Sequence, residues 1–250
     1  MDKKAERLPF RVEIATDRDM HEVARLRSFA YGRHLPGLGE ALQKPEPADY
    51  APGCQVFIAR SKLDGEMLGT LRTHANTHRP LPMEASIDLP GRLTGSLMVE
   101  TTRLSILGGE GASLVRNTMF KALYDYCLEQ KVDWMLAAGR RPVDRIYDGL
   151  LFKDVMEPGA YYPMAHAAGV PHRVMLLSPT NSQAQWAAHK HPLFDFMVET
   201  YHPDIDLSGA KPLKPEAVPV PVPLSAHPMP APLPSGVRRW ASFGLGLATA

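Results

Sequence analysis

Apolar positions change their period several times along the chain, and each change marks an element. Arg11–Ala15 alternates, the two-residue period of a half-buried strand. The spacing then shifts to Met20, Val23, Ala24, Arg27 and Tyr31, the i, i+3, i+4, i+7, i+11 stripe of a helix. Thr16 offers that helix an N-cap oxygen, and Asp17 and Asp19 suit its first turn. Leu35–Pro52 is broken by Pro36, Pro45, Pro47 and Pro52 and reads as a long loop, a candidate substrate-covering segment. Cys54–Arg60 and Met67–His74 read as strands around the turn Lys62-Leu63-Asp64-Gly65. After another punctuated stretch, Thr77–Gly95, comes Val99–Leu107, a β-branched strand. Gly108-Gly109-Glu110-Gly111-Ala112 follows it, and then a helical pattern to about Gln130 with Met119, Phe120, Leu123 and Cys127 as its buried stripe. Trp134–Ala138 reads as a buried strand, and Pro142 as the first-turn proline of a helix carrying Val143, Ile146, Tyr147 and Leu150. Phe152–Met156 and Arg173–Leu177 are further strands, and Asn181–Tyr201 is a last helical pattern interrupted near Pro192.

This order predicts an α/β fold, a central mixed sheet flanked by helices, over residues 10–202. From Pro203 the composition changes: ten of the chain's 24 prolines fall between Pro203 and Pro234, and such density excludes a helix or a central strand. Residues 203–250 are therefore predicted to form a Pro-rich tail, extended or disordered. Its end, Arg238-Arg239-Trp240 before an apolar Ala241–Ala250, is too short to span a bilayer but allows peripheral membrane contact.

Composition narrows the function classes. A net charge of +1 lacks the basic excess of a dedicated nucleic-acid binder. Two distant cysteines, Cys54 and Cys127, cannot build a disulfide framework, which predicts a reducing, cytoplasmic setting. The first ten residues have no apolar core of a secretory signal, and no apolar run reaches the ~18–20 residues of a membrane span.

Candidate chemistry gathers on the central strand. Glu100 and Arg103 stand three apart, so strict alternation puts them on opposite faces; a β-bulge between them would turn both to one cleft. Solvation of one and partial burial of the other is the plain alternative. Arg27, within an apolar stripe, is either an anion clamp or a snorkelling core-edge residue. Glu46 and Asp49 are either contacts for a substrate amine or solvated loop acids. His74 and His78 have metal-like spacing but lack a helix to align them, which favours a structural role. Neither cysteine has a flanking base, so both read as core residues.

Three motifs in order carry a resemblance. Leu26-Arg27 with Phe29 and Tyr31, Gly69-Thr70-Leu71-Arg72, and Glu100-Thr101-Thr102-Arg103-Leu104 resemble the pattern of the GNAT superfamily branch that holds N-acyl amino acid synthases and acyl-homoserine-lactone synthases. Asp144–Phe152 is similar to the superfamily's Tyr helix followed by Gly and Phe. The resemblance covers roughly residues 11–177. It implies N-acyl transfer from a thioester to an amine, with Glu100 as proton acceptor, Arg27, Arg72 and Arg103 on the substrate, and the backbone at Thr101 and Thr102 as oxyanion donors. It implies no cofactor beyond the thioester co-substrate.

Two departures sharpen it. Leu107 and two glycines stand where acetyl-CoA enzymes carry Gln or Arg ahead of Gly-x-Gly/Ala, which favours an acyl carrier protein donor, with a CoA thioester as the alternative. Glu46, Asp49 and Tyr50 only thinly echo the acidic aromatic segment with which lactone synthases bind adenosylmethionine. The expected activity is therefore long-chain acyl transfer from acyl carrier protein to an amino acid. The alternatives are a lactone synthase, an acetyl-CoA-dependent acetyltransferase, and a non-enzymatic scaffold that recruits a partner through its Pro-rich tail.

Overall fold

In the computed structural model, which describes residues 4–213, the alternating and β-branched segments pair into one large sheet. The strands are β1 (Lys4–Ala5), β2 (Phe10–Ile14), β3 (Cys54–Ser61), β4 (Met67–Ala75), β5 (Met98–Ile106), β6 (Trp134–Gly139), β7 (Lys153–Asp154), β8 (Tyr162–Pro163), β9 (Pro171–Leu177), β10 (Thr200–Tyr201) and β11 (Ile205–Asp206). The helices are α1 (Met20–Gly32), α2 (Pro36–Ala41), α3 (Ala112–Glu129), α4 (Asp144–Gly149) and α5 (Pro179–Ala188). The sheet runs β11-β2-β3-β4-β5-β6-β9-β7, with β8 also on β9, β5 and β6 parallel at its centre and antiparallel pairs on either side from β2 to β9; β1 and β10 pair separately as a two-stranded parallel sheet.

Helices cover both faces, which is why β3 is buried along most of its length instead of alternating. Val56 and Ile58 pack on Met20, Val23 and Leu26 of α1, whereas Phe57 and Ala59 face the core built on α3. Close packing fixes two glycines. A Cβ on Gly69 of β4 would sit 2.9 Å from Ile106 Cδ1 and 3.1 Å from Val115 of α3. One on Gly39 of α2 would sit 2.4 Å from the Gly32 Cα, so α1 and α2 touch backbone to backbone. No helix among the described residues is long and apolar enough to cross a membrane.

Local details depart from the sequence reading. α1 begins after Asp19, not Thr16, because the Asp19 carboxylate accepts the Thr16 N–H at 2.8 Å and hydroxyl at 2.7 Å and closes a turn ahead of the helix. The Leu35–Pro52 loop contains α2 and a 3-10 turn, Pro47–Tyr50. The strand expected over Phe152–Met156 shrinks to β7, and the last helical pattern splits into α5, which ends at Ala188 just ahead of Lys190 in the left-handed region (φ 48°) and Pro192, and a π-helical turn, Asp195–Glu199.

The largest correction is to the domain boundary at 202. β11 pairs with β2, Asp204 is buried and accepts the Leu8 N–H at 2.9 Å, and Leu213 is buried with its N–H on Gln130 Oε1 at 2.9 Å. Only Pro203 and Pro212 fall in residues 203–213, so proline density does not yet prevent pairing there. The polyproline runs and the apolar end lie outside the described residues. Leu213→Ala is expected to lower stability by about 2–5 kcal/mol, the range for truncating a buried Leu, read as a fall in denaturant midpoint at constant slope. An unchanged midpoint would return the boundary to 202.

Candidate active site

The site is built on a defect in the central strand. β4 and β5 stay in register until Arg72 pairs with Thr102, and pairing resumes at Thr70 with Ser105, so Leu71 alone opposes both Arg103 and Leu104. This is a β-bulge, with Arg103 in the left-handed region at φ 56°. It shifts the strand's phase. Val99 belongs to the core under α3 before the bulge, whereas Leu104 and Ile106 pack against that core after it. Glu100 and Arg103, three apart, thereby reach the same side, both beside His166: Arg103 Nη1 donates to the His166 carbonyl at 3.0 Å, and Glu100 Oε1 lies 3.8 Å from His166 Nε2.

The bulge adjoins a split in the sheet. β5 and β6 pair from Met98–Trp134 only as far as Thr101–Ala137, and beyond that β5 has no ladder to β6. A cavity of about 300 Å³ occupies this split, a volume within the small-molecule range. Its polar side includes Thr101, Thr102, Arg103 and His166, and Leu35, Leu38, Leu104, Ile106 and Ile146 make its other side apolar. Arg116, Arg140 and His172, which drew no notice in the sequence, also line it.

All three motif arginines are buried, at 1%, 4% and 8% exposure for Arg27, Arg72 and Arg103, and all three pair with Asp49 of the Pro47–Tyr50 turn or with Glu46, which caps it. Asp49 Oδ1 accepts from Arg27 Nη1 at 2.7 Å and from Arg72 Nη1 at 2.9 Å. Glu46 receives Arg103 through two bonds of 2.7 and 2.8 Å and Arg72 at 3.0 Å. The acids are held in place by their own turn, in which the Glu46 N–H donates to Asp49 Oδ2 at 2.8 Å. Burial alone would raise the Glu46 pKa, but the Arg103 hydrogen bond and the charges of Arg72, Arg103 and Arg27 bring it down to about 2. Arg103 borders the cavity, whereas Arg27 and Arg72 stand behind its wall.

Glu100 is fully buried and does not border the cavity. One carboxylate oxygen accepts the Met83 N–H at 2.9 Å, and the other, Oε1, has no hydrogen-bond partner. Burial raises its pKa to about 8. His74, set aside above as a doubtful metal ligand, bonds instead to Arg72 Nε at 2.9 Å and lies 3.1 Å from Cys54 Sγ.

A sheet parted between two central parallel strands, a bulge at the split and a Gly-rich turn leading into α3 make up a GNAT-like fold. Within that class the chain belongs to the family described as N-acyl amino acid synthase FeeM, whose model matches residues 22–175. The solved structure of FeeM, an N-acyl amino acid synthase from uncultured soil microbes, has a TM-score of 0.57 at 15% identity, covering 72% of this chain and 96% of that one. BjaI, a CoA-dependent acyl-homoserine lactone synthase solved with MTA, gives 0.52 at 12% identity over 77% of this chain and 93% of its own. No curated protein sequence matches.

Proposed function

We propose that this acyltransferase moves a long-chain acyl group from an acyl carrier protein thioester to the amine of an amino acid. The observation that carries the proposal is the cavity at the split, apolar on one side and bounded on the other by Arg103 and the bulge backbone. The apolar side suits an acyl chain. Arg103 suits the carboxylate of the acceptor by its charge and by the guanidinium N–H groups left over from its bonds to Glu46 and the His166 carbonyl. Three arginines against the carboxylates of Glu46 and Asp49 leave one positive charge over, which favours an anionic acceptor group.

The step itself is an addition and an elimination. The amine nitrogen bonds to the thioester carbonyl carbon, backbone N–H groups at Thr101 and Thr102 stabilise the oxyanion, and the C–S bond breaks with its electron pair on sulfur. The nitrogen's proton passes to Glu100, which returns it to the departing sulfur. Arg27 and Arg72 serve from behind the wall by holding the acids that orient Arg103.

The lactone synthase alternative is less well supported, because Glu46 and Asp49 are occupied by arginines and not free for a cationic adenosylmethionine. The carrier-protein donor rests on the missing Gln or Arg ahead of Gly108. Both thioester donors carry a phosphopantetheine phosphate, which the uncapped start of α3 suits equally. The test offers purified protein long-chain acyl carrier protein, the matching acyl-CoA, or acetyl-CoA, each with an amino acid panel or adenosylmethionine, and reads products by mass. Acyl amino acid formed chiefly from the carrier protein is expected. Exclusive use of acetyl-CoA, or lactone as product, would overturn the proposal.

A further inference from the structure

Among the buried polar atoms at the site without a hydrogen-bond partner, two belong to neighbouring side chains, Glu100 Oε1 and His166 Nδ1. The remaining imidazole nitrogen, Nε2, is 3.8 Å from Glu100 Oε1. That exceeds a hydrogen bond, as proton-transfer contacts often do before substrate tightens them. Only one of the pair meets the cavity: His166 lines it, with 20% of its side chain exposed, while Glu100 has no exposed side-chain surface. The imidazole is held where it is by its backbone, through the Arg103 bond to the His166 carbonyl and the Ala165 N–H on Ser86 Oγ at 2.8 Å.

We propose that His166 takes the acceptor's proton at the cavity wall and passes it to Glu100, the two forming an imidazole–carboxylate relay. The inference rests on the acyl-transfer reading above and adds to it the group that bridges a base the substrate does not reach. As the nitrogen–carbon bond forms, the amine proton moves to the lone pair of Nε2, the imidazole nitrogen that lies 3.8 Å from Glu100 Oε1, and passes from that nitrogen to the Glu100 carboxylate. When the C–S bond breaks, the departing thiolate takes the proton back by the same route, so the pair ends as it began.

The charges around the pair fit this use. Arg72 and Glu84 face Glu100, and Arg103, Arg72 and His172 face His166, with the Pro82 carbonyl beside it. Burial, reinforced by those cations, lowers the His166 pKa to about 4, and Glu100 stands at about 8. Between these limits the pair shares one proton, and its full basic form develops as pH rises through about 8.

Two measurements test the relay. In an NMR titration of the imidazole C–H signals, the His166 resonance is expected to show a step near the Glu100 pKa that disappears in Glu100→Gln; a resonance unchanged by that substitution would refute the coupling, whatever the substrate. In turnover assays with the thioester and amine the wild-type protein prefers, His166→Ala should lose about 10²–10⁴-fold in kcat, keep its melting temperature and regain rate with added imidazole. His166→Gln combined with Glu100→Gln should cost no more than the worse single change, as for groups acting as a unit. A His166→Ala enzyme at wild-type rate, or strictly additive losses, would remove His166 from the reaction while leaving the acyl-transfer reading standing. A wild-type protein with no acyl transfer at all would remove that reading, and the NMR arm would still decide the coupling.

Discussion

Glu100→Gln is expected to reduce acyl transfer by about 10²–10⁴-fold while making the fold no less stable, and at alkaline pH more stable. The amide keeps an oxygen for the Met83 N–H, which Glu100 holds at 2.9 Å, but it cannot accept a proton. The stability half follows from linkage. Burial raises the Glu100 pKa from 4.5 to about 8, so the folded state holds this proton more tightly than the unfolded state does. The stability tied to that proton is complete below about pH 4.5 and is lost as pH rises through about 8. Glutamine never ionises and does not suffer the loss. Denaturant melts of both proteins from pH 5 to 9 should therefore diverge upward, with the variant the more stable. The wild-type rate should climb over the same range as the carboxylate forms. A variant that turned over normally, or that unfolded more easily at pH 9 than the wild type, would show that Glu100 is not the buried base.

Much of this site was legible in the sequence, and what was missed has a common cause. The need for a bulge follows from Glu100 and Arg103 alone, because a three-residue separation cannot share a face of a regular strand. Its position depends on Leu71 of the neighbouring strand opposing two residues, a fact of register that no local pattern holds. Arg27, Arg72 and Arg103 could be singled out, but not divided into one that borders the cavity and two behind it. That division is set by the Pro47–Tyr50 turn. The turn had a local signature, acids three apart around Pro47, the spacing of a reciprocal cap, yet inside a proline-broken loop it resembled solvated acids. His166 had no signature. It sits in a three-residue turn, Ala165–Ala167, and owes its place to Ser86 and Arg103, each more than 60 residues away in sequence. The boundary at 202 was misplaced for a different reason: proline was counted over the whole tail, although its first eleven residues hold only two.

Asp49→Ala is expected to cost about 3–5 kcal/mol of stability, a large part of the roughly 5–15 kcal/mol a domain has. The Asp49 carboxylate has no exposed surface and is the direct partner of Arg27, at 2.7 Å, and of Arg72, at 2.9 Å. Removing it leaves Arg27 with no carboxylate nearer than Glu46 at 3.9 Å and Arg72 with Glu46 alone at 3.0 Å, where water cannot reach them, since their side chains are only 1% and 4% exposed. It also frees the Glu46 N–H, which loosens the turn that presents Glu46 to Arg103. Tyr50→Ala, one residue on at an exposed side chain, should change little and serves as the control. Adding Arg27→Met to Asp49→Ala should recover part of the loss, because it takes away the buried charge left without a direct partner and leaves apolar volume in its place. The network also sets an acid limit. Glu46 titrates at about 2 instead of 4.5, so its contribution is complete above about pH 4.5 and is lost as pH falls toward 2. Denaturant midpoints at pH 7 and pH 3 for the wild type, both single variants and the double variant measure these terms together. Asp49→Ala within about 1 kcal/mol of the wild type at pH 7 would mean that the arginines find other partners and that the turn does not hold the site together.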